Sequence, residues 1–207
     1  MKPARPSKFL LSLFTLAICL SLVGCSVTEW GTAHIIGDKF TIEFQMPKPF
    51  RASDVVRDLG QGYSGVYEHG YTSEGSGPTL QIKVLELHRA QMERLGLNRR
   101  GLFEMAKGAE IANLKIAETR RLNDEDWPAV VSNATEMTLD SADGKTTTYL
   151  RVLVYSGKAF TRCSVMLKAV TPKSSTRPAE VDRFFNSFKI VADSGEDSGP
   201  EFTVPIQ

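Results

Sequence analysis

The feature that most constrains the fold of this chain is an apolar run near its N-terminus, residues 9–20. The run is only 12 residues long and follows three basic residues with no acidic one. A helix that spans a membrane needs about 20 apolar residues, so this run is too short to remain across a bilayer. A basic start and a short apolar core are typical of a secretory signal. We therefore predict that residues 1–24 are a leader and that the folded domain lies after it.

The residues that close the leader indicate a chemical modification. Leu22-Val23-Gly24-Cys25 resembles the bacterial lipobox, in which the cysteine thiol receives a diacylglycerol and the chain is cleaved in front of that cysteine. A thiol is nucleophilic enough to form the thioether, and Gly24 leaves room for the peptidase. The resemblance implies diacylglycerol and an N-acyl chain such as palmitate on Cys25, and we expect no other cofactor. The alternative is an ordinary signal peptide with an incidental cysteine.

The same resemblance predicts the location of the protein. Acyl chains contribute about 0.8 kcal/mol per buried CH₂, so two or three of them hold a domain firmly on a membrane. We expect a membrane anchor in the cell envelope with the domain facing the periplasm. Ser26 follows the cysteine, and a residue other than Asp at this place slightly favours the outer membrane.

The charge of the remaining 183 residues excludes one class of partner. The leader holds three of the 25 Lys and Arg residues and none of the 24 Asp and Glu residues, so the formal net charge changes from +1 to −2 without it. Proteins that bind nucleic acid carry a basic surface, and we therefore expect no nucleic-acid partner. The length suits one hydrophobic core. Cys163 lies in an alternating apolar segment, which favours a buried thiol on a strand.

The hydrophobic periodicity predicts the following elements. Strands are predicted at residues 39–45, 79–87, 115–122, 129–139, 146–155 and 159–170. Helices are predicted at about 99–113, with Asn98 as cap, at 91–95, and at 179–188 behind Pro178. Asp143-Gly144 supplies the positive φ of a tight turn.

Two segments after residue 50 are less regular. Ser53-Asp54 could cap one or two helical turns that end at Gly60. Residues 60–78 hold six glycines and three tyrosines, so this segment is either a twisted strand pair or a long loop.

The order of these elements resembles a known family. The helix "LFEMAKGAEIANL" is followed by the turn "NDEDWPA", by a meander with the turns "DGK" and "YSGKAF", and by "AEVDRFFNSFKI". This order is similar to the PsbP/Mog1-like domain of bacterial lipoproteins. The resemblance covers about residues 34–191, which leaves 25–33 as a tether and 192–207 as a flexible tail. It implies an α+β fold, an α/β/α sandwich in which helices cover both faces of an antiparallel sheet. It also implies a family of assembly factors, small-GTPase binders and envelope lipoproteins, mostly without enzymatic activity.

Motifs for catalysis and metal binding are weak. Residues 60–65 match G-x-G-x-x-G, but the glycine-rich stretch behind them does not favour the helix that a dinucleotide site requires. His34, His69 and His88 do not pair at metal-ligand spacing. The acidic run 124–126 lies in a predicted turn, where such groups are usually solvated. We therefore predict no catalytic and no metal-binding residues.

Aromatic residues are the better candidates for a binding surface. Tyr63, Tyr67, Tyr71 and Trp127 fall in irregular segments, where they could rim a cleft or a partner surface. The alternative is that they cover the open face of the sheet.

The sequence favours a lipid-tethered, non-enzymatic binding or assembly module that docks a protein partner or a small ligand. A hydrolase whose site is assembled by folding from acidic and histidine residues is an alternative of another class. A structural subunit of an envelope transport system is a third.

Overall fold

The computed structural model describes residues 28–37, 40–57, 66–122, 131–156 and 161–192. These residues form ten strands and three short helices. The strands are β1 Trp30–Ile36, β2 Phe40–Pro47, β3 Phe50–Arg57, β4 Val66–Ser73, β5 Thr79–His88, β6 Leu114–Arg121, β7 Val131–Ser141, β8 Thr146–Ser156, β9 Thr161–Pro172 and β10 Lys189–Ala192. The helices are α1 Arg89–Arg94, α2 Arg99–Ile111 and α3 Ala179–Asn186.

The strands form two antiparallel sheets. The larger sheet has seven strands in the order β3-β4-β5-β9-β8-β7-β6, and the smaller has three in the order β1-β2-β10. The turn between β7 and β8 contains Gly144 at φ +68°, which confirms the tight turn predicted from Asp143-Gly144. The six strands that periodicity predicted are all present within the described residues, with ends shifted by a few residues.

The smaller sheet and α3 together cover one face of the larger sheet. The alternation in β2 is confirmed, because Phe40, Ile42 and Phe44 are fully buried against the larger sheet while the residues between them are only partly buried. Helix α3 adds Phe184 and Phe185 to the same core. Alternate positions of the larger sheet face this layer, namely Leu80, Ile82, Val84, Leu153, Val165 and Leu167.

Helices α1 and α2 cover the other face of the larger sheet. Leu102 and Phe103 of α2 pack with Leu150 and Val152 of β8 in a second core. Helix α2 begins where the sequence predicts, because the Asn98 side chain accepts a hydrogen bond from the Gly101 backbone N–H at 2.8 Å. Such a cap satisfies one of the N–H groups that the first helical turn leaves free.

The expected α/β/α sandwich is wrong. Helices lie on one face of the larger sheet, but the opposite face is covered mainly by the three-stranded sheet, with α3 beside it. The fold is mostly β, with two antiparallel sheets and three short helices in the described residues. The expected sandwich fails at the N-terminal region, whose first strands belong to a separate sheet instead of joining the larger one.

The predicted helix after Ser53-Asp54 is also wrong. Residues Phe50–Arg57 are β3, which pairs along its whole length with β4. Of the two alternatives for residues 60–78, a strand is present from Val66. Gly70 lets this strand lie close to its neighbours, because a Cβ there would lie 2.9 Å from Ser53 Oγ and 3.2 Å from the Ile82 carbonyl oxygen.

Strand β1 begins inside the segment predicted as a tether. Trp30–Ile36 pairs with β2 over seven residues, and two of its own side chains, Ala33 and Ile35, are buried. The part of residues 25–33 from Trp30 onward is therefore within the folded domain.

We predict that Phe44→Ala lowers the free energy of unfolding by about 4 kcal/mol, because it removes a fully buried ring from between the two layers. Ile36→Ala, on the same small sheet, is the matched control. The Ile36 residue is 72% exposed, so its truncation should change stability by less than about 0.5 kcal/mol. Urea unfolding measures both, and equal effects of the two substitutions would contradict the two-layer packing.

Candidate functional site

Tyr71 serves to join the two sheets. Its ring lies edge-on to Phe44 and Phe50, with centroids at 5.4 and 5.8 Å, and its hydroxyl donates to the His34 carbonyl oxygen at 3.2 Å. The tyrosine is only partly buried, yet three contacts fix its position. These contacts match the alternative interpretation, in which the tyrosines cover the sheet.

The other aromatic candidates are placed only in part. Tyr63 and Trp127 lie outside the described residues, and of Tyr67 only the backbone in β4 is described. One row of paired residues crosses the larger sheet from Tyr67 to Val131, the first residue of β7, through Glu86, Cys163 and Tyr155. Neighbouring strands lie about 4.8 Å apart, so the four steps of this row separate Tyr67 from Val131 by about 19 Å. Tyr67 and the start of β7, the strand that follows Trp127 in the sequence, thus lie at the same end of the sheet but are not adjacent.

The predicted lipidation site, Gly24 and Cys25, lies outside the described residues. Within the part of the chain that the structure does describe, all helices are too short or too polar to cross a membrane.

A buried ion pair lies at the junction of β7, β8 and α3. Arg151 Nε and Nη2 donate to Glu136 Oε2 at 3.0 and 2.7 Å, and Arg151 Nη1 donates to the Phe185 carbonyl oxygen at 3.1 Å. The residues Arg151 and Glu136 are only 4% and 8% exposed. Arg177 Nη1 donates to the second oxygen, Oε1, at 2.6 Å. We call Glu136, Arg151 and Arg177 the buried ion cluster.

Aromatic rings and a second acid complete this cluster. The Arg177 guanidinium lies 5.0 Å from the Tyr149 ring centroid and 4.7 Å from that of Phe185, and its Nε is 2.8 Å from Asp182 Oδ1. Burial alone would raise the pKa of Glu136. The nearby charges of Arg151 and Arg177 and their hydrogen bonds outweigh this effect and lower the pKa below its ordinary value of 4.5. Glu136 is thus held as an anion by two arginines, which is a structural role.

A second carboxylate fastens α2 to the sheet. Glu110 accepts hydrogen bonds from Lys83 Nζ at 2.8 Å and from Lys168 Nζ at 2.6 Å, one on each oxygen. Burial opposes its ionisation, but the bonds from Lys168 and Lys83 dominate together and lower the pKa of Glu110. The buried Glu136 and the partly buried Glu110 are therefore both occupied by basic side chains of the protein itself.

The two described histidine side chains are each paired with an acid. His69 Nδ1 lies 2.9 Å from Asp54 Oδ1 between β4 and β3, and His34 Nε2 lies 3.4 Å from Glu43 Oε2 between β1 and β2. These pairs belong to different sheets. The side chain of His88 is not described, and the acidic run 124–126 lies outside the described residues. In the residues that can be searched, groups of three or more metal-binding side chains do not occur.

Cys163 is a buried strand thiol, as its alternating segment predicts. Burial, together with the nearby Glu86, raises the pKa of this thiol far above its ordinary value. A thiol in this state is not a nucleophile at neutral pH.

Strand β6 forms an exposed edge of the larger sheet. Seven of its eight residues are exposed, and Ile116 is 52% exposed. Within the described residues β6 pairs on one side only, with β7, and a register shift interrupts that pairing between Ile116 and Glu118. The hydrophobic periodicity predicted the strand but not its edge position. The signal was available, because charged residues fall on both of its faces, as is usual for edge strands.

The first described residues are fastened to the turn between β2 and β3. The Lys48 backbone N–H donates to the Glu29 carbonyl oxygen at 2.7 Å, and Lys48 Nζ donates to Glu29 Oε1 at 2.6 Å. Next to them Trp30 is partly buried, and the Arg183 guanidinium stacks 4.4 Å from the centroid of its ring. We call Glu29, Trp30, Lys48, Arg51 and Arg183 the Trp30 corner.

Comparison of the chain with protein-family models and with curated proteins found no match. The resemblance to the PsbP/Mog1-like domain therefore stays a prediction, and the proposals below depend on the residues of this chain.

We predict that Glu136→Gln lowers the free energy of unfolding by about 3 kcal/mol at neutral pH, because it leaves Arg151 buried without its counter-ion. Glu118→Gln, on the exposed strand β6, should keep the free energy of unfolding within about 0.5 kcal/mol of the parent protein.

Because folding lowers the pKa of Glu136, the stability that its ionised carboxylate contributes is full above pH 4.5 and is lost as the pH falls through the lower folded pKa. The difference between parent and Glu136→Gln should therefore shrink in acid. Urea unfolding as a function of pH checks this, and a difference that grows in acid would contradict it.

Proposed function

We propose that this protein is a lipid-anchored lipoprotein of the bacterial cell envelope that acts as a non-enzymatic binding or assembly module. Cys25 carries the diacylglycerol and the N-acyl chain, and residues 1–24 are removed. The domain faces the periplasm, with the outer membrane slightly favoured.

The observation that carries the anchor is the sequence Leu22-Val23-Gly24-Cys25 behind a 12-residue apolar core. The domain geometry limits the length of the tether, because the first described residues are bonded to the fold. Glu29 is already bonded to Lys48, so the covalent chain between Cys25 and the folded domain is very short. A tether of this kind raises the effective concentration of the domain at the membrane surface.

The binding role is supported by the way the charged groups are used. Glu136 and Glu110 are bound by basic side chains inside the fold, whereas β6 has a neighbour on one side only among the described strands. A protein partner can add an extended segment to such an edge through backbone hydrogen bonds. Strand β6 carries three basic side chains, Lys115, Arg120 and Arg121, and one acidic side chain, Glu118; Arg120 Nη2 also lies 3.6 Å from Glu136 Oε1. The edge therefore favours an acidic extended segment of an envelope protein.

We predict that the chain isolated from native membranes begins at Cys25 and carries the mass of a diacylglycerol and a third acyl chain. Intact-mass analysis measures this directly. Cys25→Ser is the control, and it should lose both the added mass and the membrane association. An exported chain with an unmodified amino terminus would contradict the proposed anchor.

We predict that a photo-crosslinking amino acid at Thr119 of β6 gives a defined adduct with one envelope protein in intact cells, and that the contacting peptide of the partner is acidic. The same group at Thr32 is the matched control, since this position is also exposed but lies on β1 of the smaller sheet. Mass spectrometry identifies the adducts. If neither position gives a crosslinked adduct with another protein, the result would contradict a protein partner at this edge.

A further inference from the structure

The covalent distance from the predicted anchor to the folded domain has an upper limit. Four residue steps separate Cys25 from Glu29, and an extended chain spans at most about 3.6 Å per residue, or about 14 Å in all. Glu29 is fixed to Lys48 by a backbone and a side-chain hydrogen bond, so the limit applies to the domain itself. In the proposed anchor, the sulfur of Cys25 would lie at the level where its acyl chains enter the bilayer. The Trp30 corner is therefore the first part of the domain that meets the membrane surface.

The side chains of the Trp30 corner suit a layer of phospholipid headgroups. Trp30 combines a large apolar ring with one N–H donor, a combination that favours the boundary between water and hydrocarbon. Arg183 stacks over this ring, is itself exposed, and donates from Nε and Nη2 to Gln45 Oε1 at 3.2 and 3.1 Å. A guanidinium can bind phosphate oxygens with two parallel hydrogen bonds.

The charge of this surface is nearly balanced. Lys48, Arg51 and Arg183 stand against Glu29, which pairs with Lys48, and Glu74, which lies 3.7 Å from Arg51. Attraction to anionic lipid is therefore weak, and the short tether with the Trp30 ring is what holds the corner against the membrane.

We propose that the Trp30 corner lies in contact with the phospholipid headgroups of the membrane that holds the Cys25 acyl chains. This inference depends on the proposed lipid anchor and extends it by giving the domain an orientation. The opposite end of the larger sheet, where β3, β6 and β8 end and β4, β7 and β9 begin, then points away from the membrane.

Fluorescence quenching of Trp30 in lipid vesicles tests the orientation. The chain has two tryptophans, so Trp127→Phe leaves Trp30 as the single tryptophan, which can be excited selectively over tyrosine. The acylated variant is reconstituted into phosphatidylcholine vesicles in which a fraction of the lipid carries a nitroxide on its headgroup. We expect strong quenching by this lipid, little quenching by lipid labelled at the end of the acyl chain, and a similar result when phosphatidylglycerol is added. Acylated, vesicle-bound protein whose Trp30 emission is insensitive to the headgroup label would overturn the proposal.

A longer tether is the matched control. Inserting a flexible Gly-Ser segment of about ten residues between Ser26 and Val27 keeps the anchor but lets the domain leave the surface. Quenching by the headgroup label should then fall about twofold or more, because the tether no longer confines the corner. Quenching unchanged by the insertion would overturn the role given to the tether.

Failure of the anchor and failure of the orientation give different results. If Cys25 is not acylated, intact mass shows no added lipid and the protein does not sediment with vesicles. If only the orientation is wrong, the lipid is present and the protein sediments, but Trp30 is not quenched.

Discussion

The burial of phenylalanine rings between the two layers is the interaction on which the rest of the structure depends. Phe40 and Phe44 come from β2, and Phe184, Phe185 and Phe188 come from α3 and the residues behind it, all of them without solvent exposure. Phe44 contacts Phe184 edge-on at 6.4 Å, so the N-terminal and C-terminal parts of the chain meet in this contact. Burying each side chain of this size contributes about 1.5–3 kcal/mol to the free energy of folding. This gain offsets the conformational entropy that is lost when the short strands of the smaller sheet become ordered. The position of β1 on the larger sheet follows from this packing.

The same packing explains the charged residues in the interior. A buried arginine is costly to desolvate, and Arg151 is tolerated because Glu136 and the Phe185 carbonyl oxygen satisfy its donors. Arg177 extends this arrangement by lying against Tyr149 and Phe185, where its charge also benefits from the faces of the rings. The cluster thus connects α3 to the larger sheet with directional bonds in addition to the apolar contact. Its carboxylate is used in holding the fold together, and we assign it no catalytic role.

Local patterns predicted most individual elements. The alternation of β2, the Asn98 cap of α2 and the turn at Asp143-Gly144 depend on neighbouring residues, and all three are confirmed. Strand β1 was missed because its apolar residues do not alternate cleanly: Ala33 and Ile35 are buried on one face, but Trp30 and Ile36 fall on the other.

The errors in the fold and the site have a common cause, which is contact over long sequence separations. Ser53-Asp54 has the local appearance of a helix cap, yet pairing with β4 prevails over it. The division into two sheets could not be predicted, since β10 joins β2 across almost the whole domain. Tyr71 was expected in an irregular segment, and its contact with Phe44 depends on the packing of one sheet on the other. Likewise the partners of Glu136 come from separate elements, and single-sequence patterns do not bring them together.

We propose a β-rich domain that is held close to a membrane by a modified cysteine and that uses the buried ion cluster for its own stability. Neutron reflectometry of the acylated protein on a supported bilayer tests this description most directly, because it measures the profile of protein, lipid and water along the membrane normal. The account predicts that protein density begins within the headgroup layer and that no separate layer of water lies beneath the domain. A continuous water layer between the headgroups and the protein, or the absence of any bound protein layer, would contradict it.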